Sequence, residues 1–207
     1  MMNRARSHAT IVVAVLASLA LPVQTALADD RGSIRVRIEH PVAVPGGILD
    51  GARSEATRVF RQAGIDIVWL KPGDRECSDE GRVIRVILPS LKNADQYLQW
   101  ERVDKNALGD ANPTASLIHI FWDRLAVSAS HHGRDDAGLL GVVLAHEIGH
   151  VLLPGAGHSP TGIMQASVEV RMLTPLRFTI QQSEEMHRHL RQEPDITVEG
   201  TQAISVR

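Results

Sequence analysis

The hydrophobic and polar positions change period several times along the chain, and each change marks an element. From Ser33 to Glu39, Ile34, Val36 and Ile38 alternate with Arg35, Arg37 and Glu39, which predicts a half-buried strand. Residues 48–63 carry Ile48, Ala52, Ala56, Val59, Phe60 and Ala63 at helical spacing, and Gly64 ends that helix. Ile65, Ile67 and Trp69, with Val68 and Leu70 between them, predict a second strand buried on both faces. Residues 82–88 predict a third strand, closed by Pro89. A short helix is expected within 91–102, with Tyr97 and Trp100 on its packing side. A loop is expected over 106–113 and a fourth strand over 116–122. Residues 123–134 are polar with scattered apolar positions and read as a lead-in to the next element.

That element is the most apolar part of the chain after its first residues. Leu139, Leu140, Val142, Val143, Leu144, Ile148, Val151 and Leu152 leave almost no polar face, as in a buried helix. Asp135 or Asp136 can cap its start, and Pro154-Gly155 stops it. Residues 165–177 look irregular, and residues 179–191 predict a last helix with Ile180, Met186 and Leu190 apolar. The order is strand, helix, three strands, buried helix and C-terminal helix, an α/β (α+β) domain. Its strand–helix–strand start implies a parallel, right-handed crossover.

The buried helix also carries chemistry. His146-Glu147-Ile148-Gly149-His150 places two histidines four residues apart on one face, about 6 Å apart along the axis. Both imidazoles can then reach one zinc ion. Glu147, on a neighbouring part of that face, can take a proton from a water on the metal. Two histidines and a glutamate in a dry helix are costly without partners, and a zinc ion (Zn2+) would be that partner. His158 follows the helix break in Pro154-Gly155-Ala156-Gly157-His158, where the glycines allow the chain to turn back under the helix. Three histidine ligands leave a fourth position open, as a catalytic zinc requires.

His146, Glu147, His150, His158 and the following Gly162-Ile163-Met164 resemble the metzincin zinc peptidases. Their signature is H-E-x-x-H-x-x-G-x-x-H followed by a turn with a methionine beneath the metal; Met164 looks like that methionine. The departure is the gap: seven residues separate His150 from His158, against five in the family. The family's glycine would fall at Leu153, so the turn must come later, at Gly155 and Gly157. The resemblance covers residues 137–164 closely and the rest in architecture. It implies a mixed twisted sheet of about four to five strands, an active-site helix packed on it, and an edge strand lining the cleft, here within 104–115 or 116–122. It also implies that the wall after the methionine, here including Val168, Val170 and Met172, shapes a substrate pocket; packing beneath the helix explains these residues equally well.

Residues 1–28 read as a signal peptide. Arg4 and Arg6 precede an apolar run from Ala9 to Leu21, too short to span a bilayer comfortably, and Ala26-Leu27-Ala28 fits the cleavage rule. Export to the periplasm or beyond is expected, with no membrane association after cleavage. The catalytic domain is then 29–193, and 194–207 a loose tail. The net charge of −2 at pH 7 becomes more acidic when the leader leaves, and no basic patch points to nucleic acid. The single cysteine, Cys77, excludes an internal disulfide and reads as a loop thiol.

Glu169 is the rival third ligand, since another class of zinc peptidase uses a downstream glutamate; Glu184 and Glu185 are further options of that kind. His119 reads as a satisfied core histidine, His131-His132 as exposed in a loop, and His187 and His189 as lying on the polar side of the last helix. No G-x-S-x-G or phosphate-cradling glycine loop is present. The favoured function is a secreted zinc endopeptidase acting on a peptide or protein substrate, with His146, His150 and His158 on the metal and Glu147 as proton carrier. The alternative is a zinc-binding protein without turnover.

Overall fold

In the computed structural model the alternating stretch near the N-terminus forms β1, Gly32–Glu39, whose Ile34, Val36 and Ile38 enter the core. The structure describes residues 32–39, 43–74, 82–90, 93–94, 96–97, 99, 104, 106–132, 135–166 and 176–192. The signal segment, Cys77, the wall with Val168, Val170 and Met172, and the tail lie outside them. After β1 come α1 (Gly46–Gln62), β2 (Ile65–Leu70), β3 (Val83–Ile87), β4 (Gly109–Asn112), β5 (Leu117–Ile120), α2 (Trp122–His132), α3 (Asp136–Leu152) and α4 (Ile180–Gln192). The five strands form one mixed sheet in the order β2-β1-β3-β5-β4, parallel except for β4. This is the expected α/β class. None of the described helices is long and apolar enough to cross a membrane.

One core joins the same-face residues of β1, β3 and β5 to α1 and α3, and includes Val36, Val86, Ile118, Phe60, Leu144 and Ile148. The helix α1 buries Leu49, Ala52, Ala56, Val59 and Phe60. It ends as expected at Gly64, whose φ of +77° is open to glycine at little cost. The helices α1 and α3 touch through small residues. A methyl at Gly51 would sit 2.8 Å from Ala137 Cβ, and one at Gly141 would sit 2.8 Å from the Ala52 carbonyl oxygen. The backbones therefore approach more closely than ordinary side chains permit.

Several sequence expectations need correction. The strand β2 is not buried on both faces: it is a sheet edge, and Val68 is 47% exposed. Conversely, the polar side of β1 is more covered than its alternation implies, because β1 lies inside the sheet. Arg35 is 9% exposed and is flanked in register by Val68 and Val83. Part of the expected loop 106–113 is the edge strand β4, so the edge lies within 104–115 and not at 116–122. Gly109-Asp110-Ala111-Asn112 has no strand-like side-chain pattern and is recruited by backbone pairing to β5. The reversal between them uses Ser116 at φ +46° and the Asn112 side chain, which accepts from the Ala115 amide at 3.0 Å. Residues 123–134 are not a polar lead-in. They lie largely in α2, which buries Trp122, Leu125 and Ala129 along one stripe. In α4, Met186 is buried but Ile180 is 76% exposed, since it opens the helix beyond the reach of the core.

Gly141→Ala tests the α1–α3 crossing. Alanine favours the helix by about 1 kcal/mol. Its methyl would nevertheless lie 2.8 Å from a backbone oxygen and 2.6 Å from Glu55 Cβ, and overpacking of this kind costs about 1–3 kcal/mol. The clash is expected to win, lowering the urea midpoint; a midpoint at or above that of the parent chain would show that the helices have room to part.

Candidate metal centre

The site is built on α3. Asp135 caps the helix, its carboxylate accepting from the amides of Ala137 at 3.2 Å and Gly138 at 3.0 Å. Beyond the cap nearly every residue is buried, including His146 at 8% exposure and Glu147 at 6%. His150 lies a turn later at the rim, half-buried. After Leu152 the chain leaves the helix. Leu153 is buried, the Ala156 amide donates to its carbonyl at 3.0 Å, and Gly155 turns at φ +81°. The exposed loop then brings His158 back to His150. The Ser159 amide donates to the Met164 carbonyl at 2.8 Å, which closes the segment between His158 and the methionine turn.

The turn supports α3 from below. Met164 is buried, and its Sδ lies where a methyl at Gly149 would come within 2.5 Å; the Phe178 ring fills the adjoining space at 2.9 Å. The glycine inside the H-E-x-x-H motif is therefore the contact point between helix and turn. Ile163 adds a second contact. His146 Nδ1 donates to the Ile163 carbonyl at 2.7 Å. A carbonyl can only accept, so the proton of a neutral His146 sits on Nδ1 and the Nε2 lone pair is free.

That lone pair faces the other two rings. His150 Nε2 lies 3.1 Å from His146 Nε2 and 3.3 Å from His158 Nε2, and the ligand atoms of all three lie within 4.8 Å of one another. Nitrogens at about 2.0–2.1 Å from a tetrahedral zinc are about 3.3 Å apart. Both separations from His150 Nε2 are close to that value, and the three imidazoles form a group that could hold a single ion. Among the described residues these three make up the metal-competent cluster. Glu184 and Glu185 lie exposed on α4 and are not part of it, and Glu169 lies outside the described residues.

Electrostatics favour neutral His146 and His150. Burial lowers the His146 pKa, with the nearby His158 adding to the effect against the Ile163 hydrogen bond. Burial, then His146 and His158, lowers His150 to about 4. Glu147 moves the other way: burial raises it to about 8, and the negative charge of Asp110 contributes. A cation held by the rings would draw Glu147 down again.

The remaining histidines have local roles. His119, on β5, is half-buried rather than in the core as expected, and its ring lies tilted against Tyr97 with centroids 4.1 Å apart. His131 is exposed as expected, but on α2 and not in a loop. His187 does not simply face solvent. Its Nε2 donates to the Ala63 carbonyl at 2.9 Å, docking α4 on the end of α1. Sequence reasoning missed three contributors to the site: Gly109, Asp110 and the Ile163 carbonyl. Asp110 faces His119 across the β4–β5 ladder and accepts from Tyr97 Oη at 2.6 Å. Gly109, on the opposite face of the strand, lies against Glu147.

Among solved structures the chain is similar to archaemetzincin from Methanopyrus kandleri, with 16% identity, 81% of this chain and 99% of that chain covered, and a TM-score of 0.46. It is also similar to a zinc-dependent peptidase from Methanocorpusculum labreanum, with 14% identity, 75% and 99% covered, and a TM-score of 0.41. No family model matches the chain, and no curated protein sequence does.

The opposed shifts of Glu147 and His150 set the pH response of the metal-free chain. A carboxyl raised from 4.5 to about 8 costs nothing below 4.5, and its cost grows as pH rises toward 8. A histidine lowered from 6.5 to about 4 costs nothing above 6.5, and its cost grows as pH falls toward 4. Glu147→Gln should therefore stabilise the metal-free chain by about 1–3 kcal/mol at pH 8. The gain should vanish near pH 4, as read from thermal melts across that range. A gain independent of pH would contradict this account.

Proposed function

We propose that the chain is a secreted zinc-dependent endopeptidase. The observation that carries this reading is the convergence of three ring nitrogens beside a buried glutamate on the same helix. His146, His150 and His158 would hold the ion through Nε2. When bound, zinc acts as a Lewis acid, bringing the pKa of water toward about 7 and polarising a carbonyl. The Ile163 carbonyl holds the His146 ring so that Nε2 points inward. Glu147 accepts a proton from the attacking water on a carboxylate oxygen and returns it to the nitrogen of the leaving amine.

An extended peptide would lie along β4, the last strand of the sheet, where main-chain pairing provides affinity without strict sequence choice. The signal-peptide pattern expected from the sequence of residues 1–28 supports action outside the cytoplasm, on peptide or protein substrates. A purely metal-binding role leaves Glu147 without a purpose, since it is not in the ligand cluster.

Metal analysis and proteolysis assays on the exported chain test this together. The parent chain should carry one zinc, His158→Ala should lose it or bind it weakly, and Glu169→Ala should keep it. Glu147→Ala should retain zinc while peptide cleavage falls about 100-fold to 10,000-fold. Cleavage at the parent rate in that variant would rule out the enzymatic reading, and zinc loss in Glu169→Ala would replace His158 as third ligand.

A further inference from the structure

The edge strand β4 passes α3 at Gly109. A Cβ placed there would lie 2.7 Å from Glu147 Oε1, 2.8 Å from Cγ and 2.9 Å from Cδ. All three atoms belong to the glutamate side chain, so its carboxyl end occupies the space a side chain at Gly109 would need. Strand conformation does not demand a glycine here: positive φ angles occur at Gly64, Gly73, Gly155 and Gly162, and Gly109 is not among them. It pairs with Ile120 in the regular antiparallel register, and the ladder continues with the Phe121 amide donating to the Leu108 carbonyl at 2.9 Å. Glycine weakens a strand, and inside one it marks a close approach of another group. That group is the Glu147 carboxyl. The next residue holds the strand from its far side, where Asp110 accepts from Tyr97 Oη at 2.6 Å.

We propose that Gly109 is a positioning residue for Glu147: the missing side chain lets β4 close over the carboxyl and fix it beside His146, and any side chain at 109 displaces it. The inference rests on the reading of Glu147 as proton carrier. It adds that the geometry of this base is set by a strand contributing nothing to the metal ligands. The ligand nitrogens all come from α3 and the loop after it, so a substitution at 109 separates base placement from metal binding.

The test is Gly109→Ala in the zinc-loaded chain, alone and combined with Glu147→Asp. Zinc content should be unchanged. For the single variant kcat should fall about 100-fold, the scale of a displacement near 1 Å, while KM moves little. Its crystal structure should show the Glu147 carboxyl pushed from β4 with the three imidazoles in place. The shorter aspartate retreats from the added methyl. Glu147→Asp should therefore lower activity in the parent background and raise it in the Gly109→Ala background. A Gly109→Ala structure with an unmoved carboxyl, or parent-like kcat, overturns the proposal, as does an aspartate equally harmful in both backgrounds. If Gly109→Ala alone fails to fold, recovery in the double variant supports the proposal and continued failure overturns it. An inactive parent chain defeats the peptidase reading, and the carboxyl position in the variant crystal still decides the role of Gly109.

Discussion

The structure depends on keeping an imidazole and a carboxyl dry inside one helix, with a second imidazole half-buried at its rim. In water these groups would be hydrated at no cost. On α3 they are surrounded by Leu139, Leu140, Val143, Leu144 and Ile148, and each must be neutral or matched by a partner. Among the described residues that demand is met without a side-chain ion pair at His146 or His150. Burial drives His146 and His150 toward the neutral form, and a backbone carbonyl takes the one ring proton of His146. What remains is three Nε2 atoms gathered together, an arrangement that a cation would make favourable. The same desolvation that makes the helix expensive makes the ligands ready at neutral pH.

Holding such a helix requires close packing on several sides, and the packing repeatedly uses a missing side chain. Gly141 admits the Ala52 backbone of α1, Gly149 admits Met164 and Phe178, and Gly109 of β4 admits Glu147. Each glycine weakens its own helix or strand by roughly 0.5–1 kcal/mol relative to alanine. The return is direct contact between a backbone and its neighbour, which leaves little freedom for the groups between them. Thus α1 fixes the start of the motif, the methionine turn its end, and β4 its glutamate. The crossing of α1 and α3 therefore belongs to the metal centre as much as to the core: a shift at Gly141 moves the whole ligand-bearing helix.

Features legible in the sequence were those whose side chains announced their own packing. The alternation of β1, the helical stripe of α1 and the apolar surround of His146 and His150 each carry their period within a single element. Elements made by their neighbours were not legible. Gly109-Asp110-Ala111-Asn112 has no strand signal because its pairing is through the backbone, with β5 supplying the template. The Ile163 carbonyl escaped for the same reason: main-chain acceptors leave no mark on side-chain patterns. The helix α2 did have a signal, since Trp122, Leu125 and Ala129 fall at helical intervals. Assigning Trp122 to the preceding strand broke the stripe before it could be read. His187 looked like a solvent-facing residue, and only the tertiary fold shows it serving the end of α1.

The spacing before His158 shows how much of a metal centre is set by path and how little by count. The five-residue gap of the metzincin signature would put its glycine at Leu153, the third position after His150; here Leu153 is buried and helps anchor the helix end. The turn is postponed to Gly155, and Pro154 through Gly157 run exposed, so the two additional residues expand into solvent and not into the core. Exposed loop length is cheap, because closure entropy grows only slowly with the number of residues. The expensive requirement is the return, and two backbone bonds enforce it: Ser159 to Met164 at 2.8 Å and Ile163 to Arg177 at 3.1 Å. They bind the segment after His158 to the floor under α3, while Ile163 also holds His146. One short turn thus orients the first histidine and limits where the third can go, so the nitrogens converge although the count between them differs.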